Sequence, residues 1–141
     1  MTEAAEVTPA AETAAGTDDP IAAALAAGDP TAGQAVFQAQ HSLPDGSAWA
    51  CMSCHSVGPE QTVLIGPPLY NVVERAATRV EGENAVDYIH TSIVEPQAFI
   101  APIPEGAPIT QWALNMPAGF GEALSEQDLN NVIAYILSLH D

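Results

Sequence analysis

The chain has 141 residues and a formal charge of −16, with 18 acidic side chains against Arg75 and Arg79 and no lysine. The length suits one small domain, and the charge excludes nucleic acid as a partner, because a phosphate backbone is held by basic side chains. No apolar run reaches the roughly eighteen residues of a membrane-spanning helix, and two cysteines are too few for a disulfide framework or a four-cysteine zinc site.

In chain order, residues after Met1 up to about 19 are mostly Ala, Glu, Thr, Asp and Pro, with Val7 as the one sizeable apolar side chain. That is too little hydrophobic surface to offset the entropy of ordering, so residues 1–28 read as an acidic, Ala-rich tail or tether, with a short helix over 20–27. The start lacks the basic-then-apolar order of a secretory signal. Asp19-Pro20 and Asp29-Pro30 each set a capping carboxylate before a proline at the first helical position, and Gly28 suits the end of the first helix. A core helix is predicted over 30–41, where Gly33, Val36, Phe37 and Gln40 share one narrow face. A glycine there costs about 1 kcal/mol relative to alanine, so something should approach it closely.

Pro44-Asp45-Gly46 marks a turn leading to the cysteines. Beyond them, Ile65-Gly66-Pro67-Pro68 is too proline-rich for a helix interior, and a short helix is expected over Leu69 to Arg75. Val86, Ile89, Ile93 and Val94 predict a helix over 84–95, stopped by Pro96. Residues 96–124 hold five prolines and three glycines and read as an ordered wrapping loop. Ser125 to Asp128 resembles a capping box, and Leu129, Val132, Ile133 and Ile136 form the apolar stripe of a final helix ending near Leu139.

The chemistry sits in Cys51-Met52-Ser53-Cys54-His55. Two thiols two residues apart, followed at once by an imidazole, form the attachment signature of a c-type haem: Cys51 and Cys54 hold the porphyrin edge and His55 ligates iron. A redox dithiol of thioredoxin type would need strands alternating with helices, and the chain has almost no strand pattern. An electron carrier ordinarily fills both axial positions, so a second ligand is needed. Met116, Met52, His41, His90 and His140 are candidates. Met52 is locked in the attachment loop and His140 is terminal. Met116 stands in a flexible Asn115-Met116-Pro117-Ala118-Gly119 context that suits the opposite face, with His90 and His41 as alternatives.

From Asp29 to Leu139 the chain resembles a class I c-type cytochrome. It matches in order the helix with Gly33 and Phe37, CxxCH, Gly66-Pro67-Pro68-Leu69, the Met116-Pro117 loop and the helix ending Ala134-Tyr135-Ile136-Leu137. The resemblance implies an all-α cytochrome c fold, with four to five helices around one covalent haem c in a domain spanning 29–141. It implies that the Pro67 carbonyl accepts the free N–H of His55, that Leu69 packs on the haem, and that Gly33 and Phe37 meet Tyr135 where the first and last helices cross. Tyr70, Arg75, Arg79 and Trp112 become candidates for contact with the propionates, arginine being the best match for a carboxylate.

Two departures stand out. The stretch between Phe37 and Cys51 is long, suggesting an extra loop near 41–49 on the proximal side, and the lysine ring of mitochondrial-type members is absent. The latter favours redox partners that dock through a basic or largely apolar surface, although the acidity equally suits solubility in a saline or acidic setting. The apolar run Phe99-Ile100-Ala101-Pro102-Ile103-Pro104 is expected to cover the haem or to mark a docking patch. The region is also similar to monohaem subunits of bacterial respiratory complexes, including quinol-oxidising alternative complex III.

The expected function is therefore one-electron transfer in a respiratory or photosynthetic chain, not enzyme catalysis, by a periplasmic protein free or associated with a membrane complex. Covalent haem attachment ordinarily occurs outside the bacterial cytoplasm, so an export signal or anchor is expected to have preceded this sequence. The alternatives are a haem peroxidase-like enzyme, which needs an open distal site, and a haem sensor domain, which needs an output module.

Overall fold

The computed structural model describes residues 19–113 and 116–140, so the expected tail before residue 19 and Asn115 of the distal loop lie outside the described residues. Both predicted caps form. Asp19 Oδ1 accepts from the Ile21 amide at 3.0 Å and opens α1, Pro20–Ala27. Asp29 Oδ1 accepts from the Thr31 amide at 2.9 Å and opens α2, Pro30–Gln38. α2 ends earlier than expected because the chain turns directly into a two-stranded hairpin, β1 (His41–Ser42) and β2 (Ala48–Trp49). His41 pairs antiparallel with Trp49, and Ser42 with Ala48. The turn is closed by Leu43 N–H on the Ser47 carbonyl at 2.8 Å and by Asp45 Oδ1, which accepts from the Ser47 amide at 2.9 Å and hydroxyl at 2.6 Å.

The attachment turn α3, Cys51–Cys54, follows at once. α4 spans Val72–Arg79, starting later than expected. Asn71, in the left-handed region at φ 59°, is held by its N–H on the Leu139 carbonyl at 2.6 Å, and the helix begins only beyond it. α5, Ala85–Val94, is capped by Asn84, whose side chain accepts from the Asp87 amide at 2.9 Å. The wrapping loop contains one unforeseen turn of helix, α6 (Phe120–Ala123), in which Phe120 is buried. α7, Glu126–Leu137, begins at Ser125, whose hydroxyl accepts from the Asp128 amide at 3.0 Å.

α7 is the axis of the fold. The sequence predicts one apolar stripe, yet every residue from Asn131 to Leu137 is buried. The reason is packing on more than one side: α1 and α2 lie against it, and α4 and α5 contact it as well. The α2 crossing is closest at Gly33, where any Cβ would overlap the backbone carbonyl of Asn131 and lie 2.8 Å from Tyr135 Cβ. One turn along, the Phe37 and Tyr135 rings meet at 5.4 Å. Asn131, the buried polar residue of the core, is satisfied: its Oδ1 accepts from the Asp29 amide and from Gln127 Nε2, both at 2.9 Å. No helix among the described residues is long and apolar enough to cross a membrane.

Candidate functional site

The attachment turn is fixed from both ends. His55 N–H bonds the Cys51 carbonyl at 3.0 Å, and the following loop returns so that Gly66 N–H reaches the Cys54 carbonyl at 2.7 Å and Leu69 N–H the Ser56 carbonyl at 2.9 Å. The return brings the Pro67 carbonyl to His55 Nδ1 at 2.7 Å. A carbonyl can only accept, so Nδ1 carries the proton and Nε2 is the nitrogen left for a metal. Gly66 passes so close to the imidazole that a Cβ would stand 2.7 Å from His55 Cε1. Burial lowers the His55 pKa, the Pro67 bond partly offsetting it, and the direction favours the neutral ring that a ligand requires. Burial also pushes the Cys51 thiol up to about 11, and the Cys54 thiol in the same direction.

Cys51, Cys54 and His55 open onto one cavity, with about 1230 Å³ of empty space including the open mouth. Its other walls are Ile65 to Leu69, Val72 of α4, Tyr88, Ile89 and Ile93 of α5, the loop residues Phe99 to Ala101, and Phe120, Leu124, Val132 and Ile136. Met116 and Trp112 complete it from the distal loop, and Arg75 and Arg79 supply its cationic side. An apolar slot carrying two thiols and an imidazole on one wall and guanidinium groups on another fits a porphyrin with carboxylate arms.

The remaining predicted residues divide. Arg79 Nη1 donates to the Tyr88 hydroxyl at 3.1 Å, with the guanidinium 5.7 Å from that ring's centre. Arg75 reaches back to the loop, donating to the carbonyls of Pro68 at 2.6 Å and Tyr70 at 3.1 Å and to Gln61 Oε1 at 3.2 Å. Burial depresses its pKa, with Arg79 adding to the effect. Trp112 Nε1–H is engaged by the Ala101 carbonyl at 2.8 Å, which closes the wrapping loop on itself. Tyr70 is not brought to the cavity wall; its carbonyl instead holds Arg75. Phe99 and Ile100 line the mouth while remaining 36% and 50% exposed, so the apolar loop both borders the cavity and faces outward. Phe99 also sets its ring edge-on to Tyr88 at 5.8 Å. Sequence reasoning missed Tyr88 and Phe120 as walls; neither lies in a motif that points to the site.

The family model for cytochrome c matches residues 30–140, most of the chain. The chain belongs to the cytochrome c family. Among curated relatives, cytochrome c2 iso-2 and iso-1 of Rhodospirillum centenum are each 27% identical over 124 residues; the matches cover 77% of this chain and 93% and 94% of the two relatives. No solved structure gives a significant match. As a class I c-type cytochrome, the protein carries covalent haem c, for which Cys51 and Cys54 form the fitting CxxCH motif, and it transfers electrons between redox partners.

Proposed function

We propose that His55 and Met116 are the two axial ligands of the haem, and that the cytochrome carries single electrons in an extracytoplasmic respiratory or photosynthetic chain. The observation that carries the ligand assignment is the cavity itself: Met116 lines it together with His55. The other candidates are engaged or turned away. His41 Nε2 donates to the Val36 carbonyl at 2.8 Å, His90 and His140 are exposed, and Met52 is 50% exposed on the attachment turn.

When bound, haem iron supplies the one-electron chemistry, alternating between ferric and ferrous forms. The chain's residues set the conditions for it. Pro67 fixes the His55 ring and increases its basicity as a ligand. A thioether at Met116 favours the ferrous form and raises the potential. Leu69 and the apolar walls keep water from the metal, and Arg75 and Arg79 offer positive charge to the propionates. Trp112 and Tyr70 serve that end indirectly, one by closing the loop and the other by holding Arg75.

Charge distribution supports docking on a basic or apolar partner surface, for a free shuttle or a complex subunit. From residue 30 to 59 the charged side chain is Asp45, and from 96 to 121 it is Glu105, so the segments around the attachment turn and distal loop are nearly neutral within an acidic body. In this reading residues 29–141 form the haem domain and α1 belongs to the same folded body, because it packs on α7, so the tether expected over 1–28 shortens to the segment before residue 19; the family match begins at residue 30. The test of the ligand assignment is Met116→Ala. The weak near-infrared sulfur-to-iron band of the ferric protein should vanish and the potential should fall; persistence of the band overturns the assignment.

A further inference from the structure

We propose that the hairpin at 41–49 is a clamp on the distal loop, and that Leu43 and Pro44 position the Met116 thioether by seating Gly119. The inference rests on Met116 being the axial ligand. It begins with what holds the loop. Among the described residues, those from Pro108 to Ala118 donate and accept no backbone–backbone hydrogen bond. Met116 therefore takes its position from the anchors on either side. Upstream, the Trp112 indole bonds the Ala101 carbonyl at 2.8 Å. Downstream, three residues after Met116, the anchor is the hairpin.

There Gly119 adopts φ +111°, and a Cβ on it would stand 2.6 Å from Pro44 Cδ and 3.6 Å from Leu43 Cβ. The neighbouring Phe120, 3% exposed and part of the cavity wall, takes the His41 ring edge-on at 6.4 Å. His41 cannot swing freely, because its Nε2 is bonded to the Val36 carbonyl at the end of α2. Leu43, 4% exposed, is rooted in the core, and the turn around it is braced by its own hydrogen bonds. β2 then runs through Trp49 and the buried Ala50 straight into Cys51. One small sheet thus joins the end of α2, the attachment turn on the His55 side and the root of the Met116 loop. The expected proximal loop is a connection between the two faces of the site.

A clamp of this kind limits how often the thioether leaves the metal, and an added ligand can bind only when it does. The experiment uses the ferric holoprotein and imidazole as probe, with association followed by stopped-flow at the haem bands. Gly119→Ala forces a methyl group into Pro44, and Pro44→Gly removes the seat at an exposed position where folding is not at risk. Each should speed imidazole binding by about tenfold. Combined, they should be less than multiplicative, because both act on one contact. Leu129→Ala, in α7 away from the hairpin, lowers overall stability and is the reference. Rates in the hairpin variants that rise no more than in Leu129→Ala overturn the clamp while leaving Met116 as ligand. Loss of the axial assignment would appear separately, as a near-infrared band unaltered by Met116→Ala, and would overturn the clamp with it.

Discussion

Gly33→Ala isolates the crossing of the first and last helices of the haem domain. Judged by local propensity the change should help, since alanine is favoured over glycine inside a helix by about 1 kcal/mol. The structure reverses the sign. The new methyl would overlap the Asn131 carbonyl and sit 2.8 Å from Tyr135 Cβ, and the first obstacle is backbone that cannot rotate away. Overpacking of this kind costs about 1–3 kcal/mol, and the backbone obstacle puts the cost at the upper end. After the propensity gain the net loss is about 2 kcal/mol, which lowers the melting temperature by roughly 8 °C in a domain of this size. Thermal unfolding of the ferric holoprotein by circular dichroism measures it, with Gln34→Ala on the exposed face of α2 as control. An unchanged or raised melting temperature would show that α2 and α7 can part freely, and would refute the account of why a glycine stands there. Because Phe37, Val132 and Ile136 from the same pair of helices line the cavity, the variant should also broaden the haem absorption bands.

Arg75→Lys should destabilise by about 1–2 kcal/mol, allowing for partial exposure, because one ammonium cannot span the Pro68 and Tyr70 carbonyls. Urea denaturation checks this, and a neutral result would mean the loop is held elsewhere. The hydrogen bonds from the Ser47 hydroxyl and amide hold the Asp45 carboxyl below its ordinary pKa, so its contribution is present above the usual carboxylate range and is lost as pH falls through the depressed folded value. The Ser47 amide resonance should shift across that acidic window, and Asp45→Asn should abolish the shift. With a charge of −16, oxidation of the ferrous protein by the cobalt tris(phenanthroline) cation should slow as salt is added, and oxidation by ferricyanide should accelerate. Stopped-flow rates that do not depend on salt would remove electrostatic steering from the partner argument.

What was legible beforehand depended on how local the signal is. CxxCH is contiguous, and the Asp-Pro caps and the Ser125 cap act over three residues, so each could be read from side-chain chemistry alone. The hairpin escaped notice because strands of two residues carry no alternation to detect. α6 was hidden for a similar reason, being a single turn preceded by Gly119 in a proline-rich stretch. The start of α4 depended on a bond between Asn71 and Leu139, 68 residues later in the chain.

The sequence by itself determined the attachment chemistry, the glycine that demands a close neighbour and the strong acidity of the chain, because residue identity and short-range spacing are sufficient for each. Only the tertiary structure decided which methionine or histidine reaches the cavity. It separated Met116 from His41, whose ring is committed to Val36, and turned Arg75 toward backbone carbonyls. It also set the hairpin against Gly119. Those outcomes depend on where distant segments pack, and no local pattern encodes a contact between residue 44 and residue 119.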